Sequence, residues 1–168
     1  MADLNVAIKG VKIASLALNI PTPEVYFISK DKLPNAEITG IFINNDYQVI
    51  FNEEWVINTS EIEVLITCFH ETRHAYQSYS IKQNINEPQD LFEKWAYEKS
   101  NYIGPSGLND ESTDYEYLSQ DIEVDAIAWT HYQIKELLNL KTVIPKNIEP
   151  LIKLKLKKYS IIDKIRFR

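Results

Sequence analysis

Two of the three histidines in this chain stand four residues apart, in the segment His70-Glu71-Thr72-Arg73-His74. Residues at this spacing project from one face of a helix, so both imidazoles can bind a single metal ion. A glutamate between them is then placed to accept a proton from the attacking water. The pattern predicts a zinc (Zn2+) site with His70 and His74 as ligands and Glu71 as catalytic general base.

A third protein ligand is required, because a catalytic zinc takes three protein groups and leaves the fourth position to water. A metzincin would continue with a glycine and a further histidine, but Gln77 and Ser80 stand at those positions, and Met1 as the only methionine excludes a Met-turn. Cys68 is the only cysteine. The third ligand is therefore a carboxylate or the remaining histidine, His131.

The best carboxylates lie in segment 121–129, where acidic residues alternate with apolar ones. Small residues in this segment favour a helix that a second helix can approach closely, which would bring a carboxylate to the histidines. Glu123 is the preferred ligand, and Asp121 is further out. Asp125 is the alternative, either as a ligand or as a hydrogen-bond partner of a ligating histidine. The competing interpretation is an ordinary acidic first turn favoured by the helix dipole.

The two motifs together resemble the gluzincin-type metallopeptidases, in which a glutamate in an E-x-x-A setting on a second helix completes the metal site. Glu123 stands three residues before Ala126 and matches that setting. The chain is also similar to small soluble zinc peptidases of the ImmA/IrrE kind over roughly residues 60 to 130. The resemblance implies a zincin-like fold with His70, His74 and Glu123 as metal ligands.

Composition fits one compact domain over residues 1–168. The hydrophobic share is 45%, enough for a sizeable core. No apolar run approaches the roughly 20 residues of a membrane helix, and the start of the chain lacks a leader pattern, so we expect a cytoplasmic protein without a membrane span. A net charge of −6 argues against a general nucleic-acid binder. The basic C-terminal segment 152–168 is the exception, and a basic helix or strand packed through Leu154, Leu156, Ile161 and Ile165 would explain it.

The coarse pattern of elements predicts an α+β fold. Helical spacing of Leu4, Ile8, Val11, Ser15 and Leu18 indicates a first helix. Three β-rich segments follow at 25–29, 38–44 and 47–52, and should form a small, mainly antiparallel sheet packed against several helices.

The remaining elements would carry the site. Ser60 and Glu63 form a capping box that opens the histidine helix. A helix near 91–100 leads into a loop at 101–113, which is a candidate lid or an ordinary connection. A long helix from about 112 to 140 should then carry Glu123.

These parts predict a zinc-dependent endopeptidase (a metalloprotease, hence a hydrolase) whose partner is a protein or peptide substrate. The substrate would add as an extended strand to a sheet edge at 47–52. Tyr76, His131 and Tyr132 are candidates for oxyanion stabilisation. Two alternatives stay open: a catalytically inactive metal-binding regulatory or interaction protein on the same scaffold, and a binding module that uses the basic tail.

Overall fold

The computed structural model describes residues 2–35, 37–85, 87–107 and 114–166, with side chains described up to Tyr159. In that part of the chain there are seven α-helices and one three-stranded sheet, so the α+β class is confirmed. The chain divides into two compact units, Met1–Ile85 and Asn86–Arg168. A single zincin-like domain over residues 1–168 stays a prediction.

The first helix, α1 (Leu4–Leu18), lies where the apolar spacing predicted it. Its buried face differs in part from the predicted one. The small residues Ala7, Gly10 and Ala14 are buried, whereas Ile8 is 45% exposed. At Gly10 an added Cβ would lie 2.9 Å from the Sγ atom of Cys68, so a side chain here would force the two helices apart.

The sheet consists of β1 (Glu24–Ile28), β2 (Gly40–Ile43) and β3 (Gln48–Asn52), and all three were predicted. The strand order is β1-β3-β2, with β3 parallel to β1 and antiparallel to β2. The expectation of a mainly antiparallel sheet is therefore wrong. A tight turn joins β2 to β3, which makes this pair antiparallel. The connection between β1 and β2 is longer and leaves room between them for β3, which therefore runs beside β1 in the same direction. The predicted edge at 47–52 is also wrong, because β3 is the central strand.

A short helix, α2 (Glu53–Asn58), leads from the sheet into α3 (Glu61–Gln83), which carries both histidines of the metal motif. The predicted capping box is confirmed: the Ser60 hydroxyl accepts from the Glu63 backbone N–H, and the Glu63 side chain accepts from the Ser60 N–H. The helix lies beside β2, where an added Cβ on Gly40 would come within 2.8 Å of Thr67.

The second unit contains α4 (Gln89–Ser100), α5 (Tyr115–Leu118), α6 (Asp121–Leu138) and α7 (Glu149–Arg166). The prediction of a single helix over 112–140 is wrong, since α5 and α6 are separate helices. Residues 108–113 lie outside the described residues, and they include the predicted start of that helix and part of the predicted loop at 101–113. Gln120 has an extended backbone, with ψ of 138°. The Glu98 carboxylate caps the new helix by accepting from the backbone N–H groups of Asp121 (2.9 Å) and Ile122 (3.0 Å).

The basic C-terminal segment forms α7, which packs on α6 through a cluster of apolar residues: Val124, Ala128, Ile148 and Ile152. Leu154, predicted to pack, is instead 62% exposed. Ile161 and Ile165 lie outside the described side chains. Among the helices that the structure describes, none combines the length and apolar character needed to cross a membrane.

Candidate metal centre

The two motif histidines meet on one face of α3. Their Nε2 atoms are 3.1 Å apart, and the rings are nearly perpendicular, at 84°. The Nδ1 atom of His74 lies 2.9 Å from Oε1 of the buried Gln77. Because an amide oxygen only accepts, this contact favours the tautomer in which Nδ1 of His74 carries the proton and Nε2 presents a lone pair. This is the form in which an imidazole binds a metal ion.

The spacing of the histidine nitrogens fits zinc. With zinc–nitrogen bonds of about 2.0–2.1 Å and tetrahedral angles, two ligating nitrogens are expected about 3.3 Å apart. The observed separation is 3.1 Å. The ion would therefore fit with only a small shift of either ring.

Glu123 occupies the first turn of α6 and is fully buried. Its Oε1 atom accepts a hydrogen bond of 2.9 Å from the hydroxyl of Tyr102. Burial lowers the pKa of Lys99 to about 8, although the Glu123 charge acts in the opposite direction. A carboxylate removed from water in this way requires nearby positive charge or hydrogen-bond donors.

The predicted ligand residues belong to different units, because His70 and His74 lie in the first and Glu123 lies in the second. The assignment of Glu123 as the third ligand, in preference to Asp121 and Asp125 of segment 121–129, stays a prediction.

The two other acids of that segment contact neighbouring helices. Asp125 accepts from the Tyr159 hydroxyl at 2.6 Å and forms an ion pair with Lys155 at 3.3 Å. Asp121 also pairs with Lys155, at 3.2 Å, and accepts from the indole N–H of Trp95 at 3.0 Å. Both acids therefore serve to join α6 to its neighbours.

Glu71, the predicted general base, is 9% exposed. Its Oε2 atom accepts a hydrogen bond of 2.9 Å from the backbone N–H of Phe42 on β2. One carboxylate oxygen is thus held at the sheet, which fixes the side chain beside the histidine face of α3.

His131 lies further along α6. Its Nδ1 atom is 2.8 Å from the Thr142 hydroxyl. The pKa of His131 is lowered by partial burial and then by the positive charges of Lys135 and Lys141. Of the candidates for oxyanion stabilisation, Tyr76 lies under the Arg73 guanidinium, at 4.1 Å from the ring centre. These contacts rank none of the candidates.

Two residues of the site were not found from the sequence. Gln77 stands three residues after His74 on the same helix face, so helical spacing could have indicated it. Tyr102 reaches Glu123 from a segment without regular structure, and no local pattern signals such a contact.

No family model matches this chain, and neither a curated protein nor a solved structure matches it. The likeness to gluzincin and ImmA/IrrE-type peptidases therefore rests on the two motifs, and membership of that group stays a prediction.

Proposed function

We propose that the protein is a zinc-dependent endopeptidase. The observation that carries the proposal is the pair of His70 and His74 on one face of α3, whose Nε2 atoms lie 3.1 Å apart. Glu123 is the proposed third ligand. Two imidazoles and one carboxylate are a donor set of catalytic zinc sites, whereas structural sites are closed by four cysteine or histidine ligands. A bound zinc would acidify a water molecule and polarise a substrate carbonyl.

Glu71 supplies the proton transfer in this proposal. Its carboxylate takes a proton from the attacking water and returns it to the leaving amine. The hydrogen bond from Phe42 supports the role, because a base that is held in one position loses less freedom when the substrate arrives.

The outer edge of β2 is the proposed position of the peptide. Phe42 forms its cross-strand pair with Val49, yet its N–H donates to Glu71, so this N–H points away from β3. An extended peptide that pairs with this edge would lie next to the general base. The edge belongs to β2, not to the central strand.

The second candidate function is metal binding without turnover, as in a regulatory protein. The same hydrogen bond favours it, because one oxygen of Glu71 is already engaged by Phe42. Proton transfer from water would then depend on the other oxygen, Oε1, and if that oxygen does not reach the water the site would bind a metal ion without turnover.

Metal analysis tests the ligand set. Purified protein should bind about one zinc per chain, and His74→Ala and Glu123→Gln should each abolish tight binding. Asp125→Asn is the matched acid control on α6, and its loss should not exceed the roughly 10 to 100-fold typical of groups outside the ligand shell. Equal losses for Glu123→Gln and Asp125→Asn would transfer the ligand role and contradict the proposed site.

Proteolysis tests the general base. Glu71→Gln should keep zinc and fold but lower cleavage by on the order of a hundredfold to ten-thousandfold. Protein fragments can be compared in cells that express the wild type, Glu71→Gln, or the control Glu61→Gln, which alters an exposed acid of the same helix. Identical fragment patterns from wild type and Glu71→Gln, with zinc present in both, would favour the regulatory function instead.

A further inference from the structure

We propose that Tyr102 positions the metal-binding carboxylate of Glu123, and that Gln120 acts through Tyr102 by fixing its backbone. The inference rests on the proposed zinc site and assigns two residues that neither motif contains. Tyr102 is a positioning residue, because it touches a ligand rather than the reacting atoms.

The contact of Tyr102 with Glu123 selects one carboxylate oxygen. The hydroxyl donates to Oε1 at 2.9 Å, while the Glu123 side chain is fully buried. An oxygen that accepts this bond is a weaker metal donor than its partner, so the contact favours binding through Oε2 alone. Hydrogen bonds of this kind orient ligating carboxylates in metal sites.

Tyr102 depends on other residues for its own position. Its side chain is 48% exposed and belongs to a segment without helix or strand. Its ring meets the Tyr117 ring edge to face, with the centroids 6.2 Å apart. A half-exposed tyrosine on such a segment would sample several rotamers unless the backbone beside it were held.

Gln120 holds that backbone at the next residue. Its Oε1 accepts from the N–H of Ile103 at 3.0 Å, and its Nε2 donates to the carbonyl oxygen of Ile103 at 2.9 Å. The same Nε2 donates to the carbonyl oxygen of Tyr117, also at 2.9 Å. The side chain is 7% exposed, so its amide is satisfied by these backbone groups in a largely dry position. Gln120 thus joins the segment that carries Tyr102 to the start of α6, three residues before Glu123.

Zinc affinity of the full-length protein tests both assignments, with competition against a chelator as the measurement. Tyr102→Phe removes only the hydroxyl and should weaken zinc binding by about 10 to 100-fold. Tyr97→Phe is the matched control, because that tyrosine is 69% exposed on α4, and it should leave the affinity unchanged. Gln120→Met should weaken binding in the same direction. The double variant should be no weaker than Tyr102→Phe alone.

Cobalt substitution separates positioning from a general loss of structure. Without the hydroxyl, both oxygens of Glu123 can reach the metal, so the coordination number should rise in Tyr102→Phe. The visible absorption of bound Co2+ should then lose intensity relative to wild type and Tyr97→Phe, while far-UV circular dichroism stays the same.

Wild-type affinity and an unchanged cobalt spectrum in Tyr102→Phe would overturn the inference. Additive losses in the double variant would overturn the role of Gln120. If Tyr102→Phe does not fold, Gln120→Met must show the cobalt change on its own, and its absence would equally overturn the inference. Failure of the proposed function has a different signature, namely wild-type zinc affinity in Glu123→Gln.

Discussion

Replacing Lys155 by methionine should destabilise the second unit by about 3 kcal/mol, the low end of the roughly 3–5 kcal/mol for breaking a buried ion pair. The ammonium lies 3.2 Å from Asp121 and 3.3 Å from Asp125, and the three side chains are 13%, 19% and 1% exposed. Methionine fills a similar volume but leaves the buried carboxylate of Asp125 without its cation. The low end applies because the Tyr159 hydroxyl still donates to Asp125.

Lys153 on the same helix provides the control. Its ammonium is 2.9 Å from Glu149, with side chains 65% and 47% exposed, so water screens this pair. Exposed pairs at this spacing contribute about 0.3–0.5 kcal/mol, and Lys153→Met should cost no more than that.

Urea unfolding followed by circular dichroism and tryptophan fluorescence measures both variants. The effect of Lys153→Met should disappear in about 1 M salt, whereas most of the effect of Lys155→Met should remain. A cost for Lys155→Met below about 1 kcal/mol, within the range of an exposed pair, would refute the reasoning from burial.

Two further predictions concern stability. Gly10→Ala should destabilise the protein by about 1–3 kcal/mol through overpacking, reduced by the better helix propensity of alanine, because the new Cβ would lie 3.0 Å from the Cβ of the buried Cys68. Thermal unfolding measures this cost. Gly104→Ala is the neutral control, because its new Cβ would meet no atom within 4 Å. The pKa of His131 is lower in the folded protein than in the unfolded chain, so as the pH falls the unfolded chain takes up the proton at a higher pH. The stability that neutral His131 contributes is therefore fully present above a pH of about 6.5 and is lost below it. The free energy of unfolding between pH 7 and 5, measured in urea, should fall less in His131→Asn than in wild type, and equal slopes would contradict this.

Local patterns were sufficient for most of the elements. The capping box at Ser60 and Glu63 needs only four consecutive residues, and the structure shows both of its hydrogen bonds. The three strands were likewise found from β-branched and aromatic residues. The proximity of His70 and His74 on α3 follows from helical spacing alone, since residues four apart share one face of any regular helix.

Features that depend on distant residues could not be predicted. The break before α6 depends on Glu98, which lies 23 residues before the N–H that it caps at Asp121. The parallel pairing of β1 with β3 depends on how the connection of 11 residues between β1 and β2 crosses the sheet, which single-strand patterns do not encode. Tyr102 reaches Glu123 across 21 residues for the same reason.

The contact between Asp125 and Tyr159 has a consequence for the order in which the chain can mature during synthesis. These two residues are 34 positions apart, and the ammonium of Lys155 comes from the same late helix. Until α7 has been made, the turn of α6 that carries Glu123 also presents acids whose later partners do not yet exist. Desolvating them at that stage would be unfavourable, so this turn should stay hydrated in the nascent chain. Burial of this turn is thereby coupled to translation through residue 159, and in a product truncated before α7 the carboxylate of Asp125 would lack both Tyr159 and Lys155.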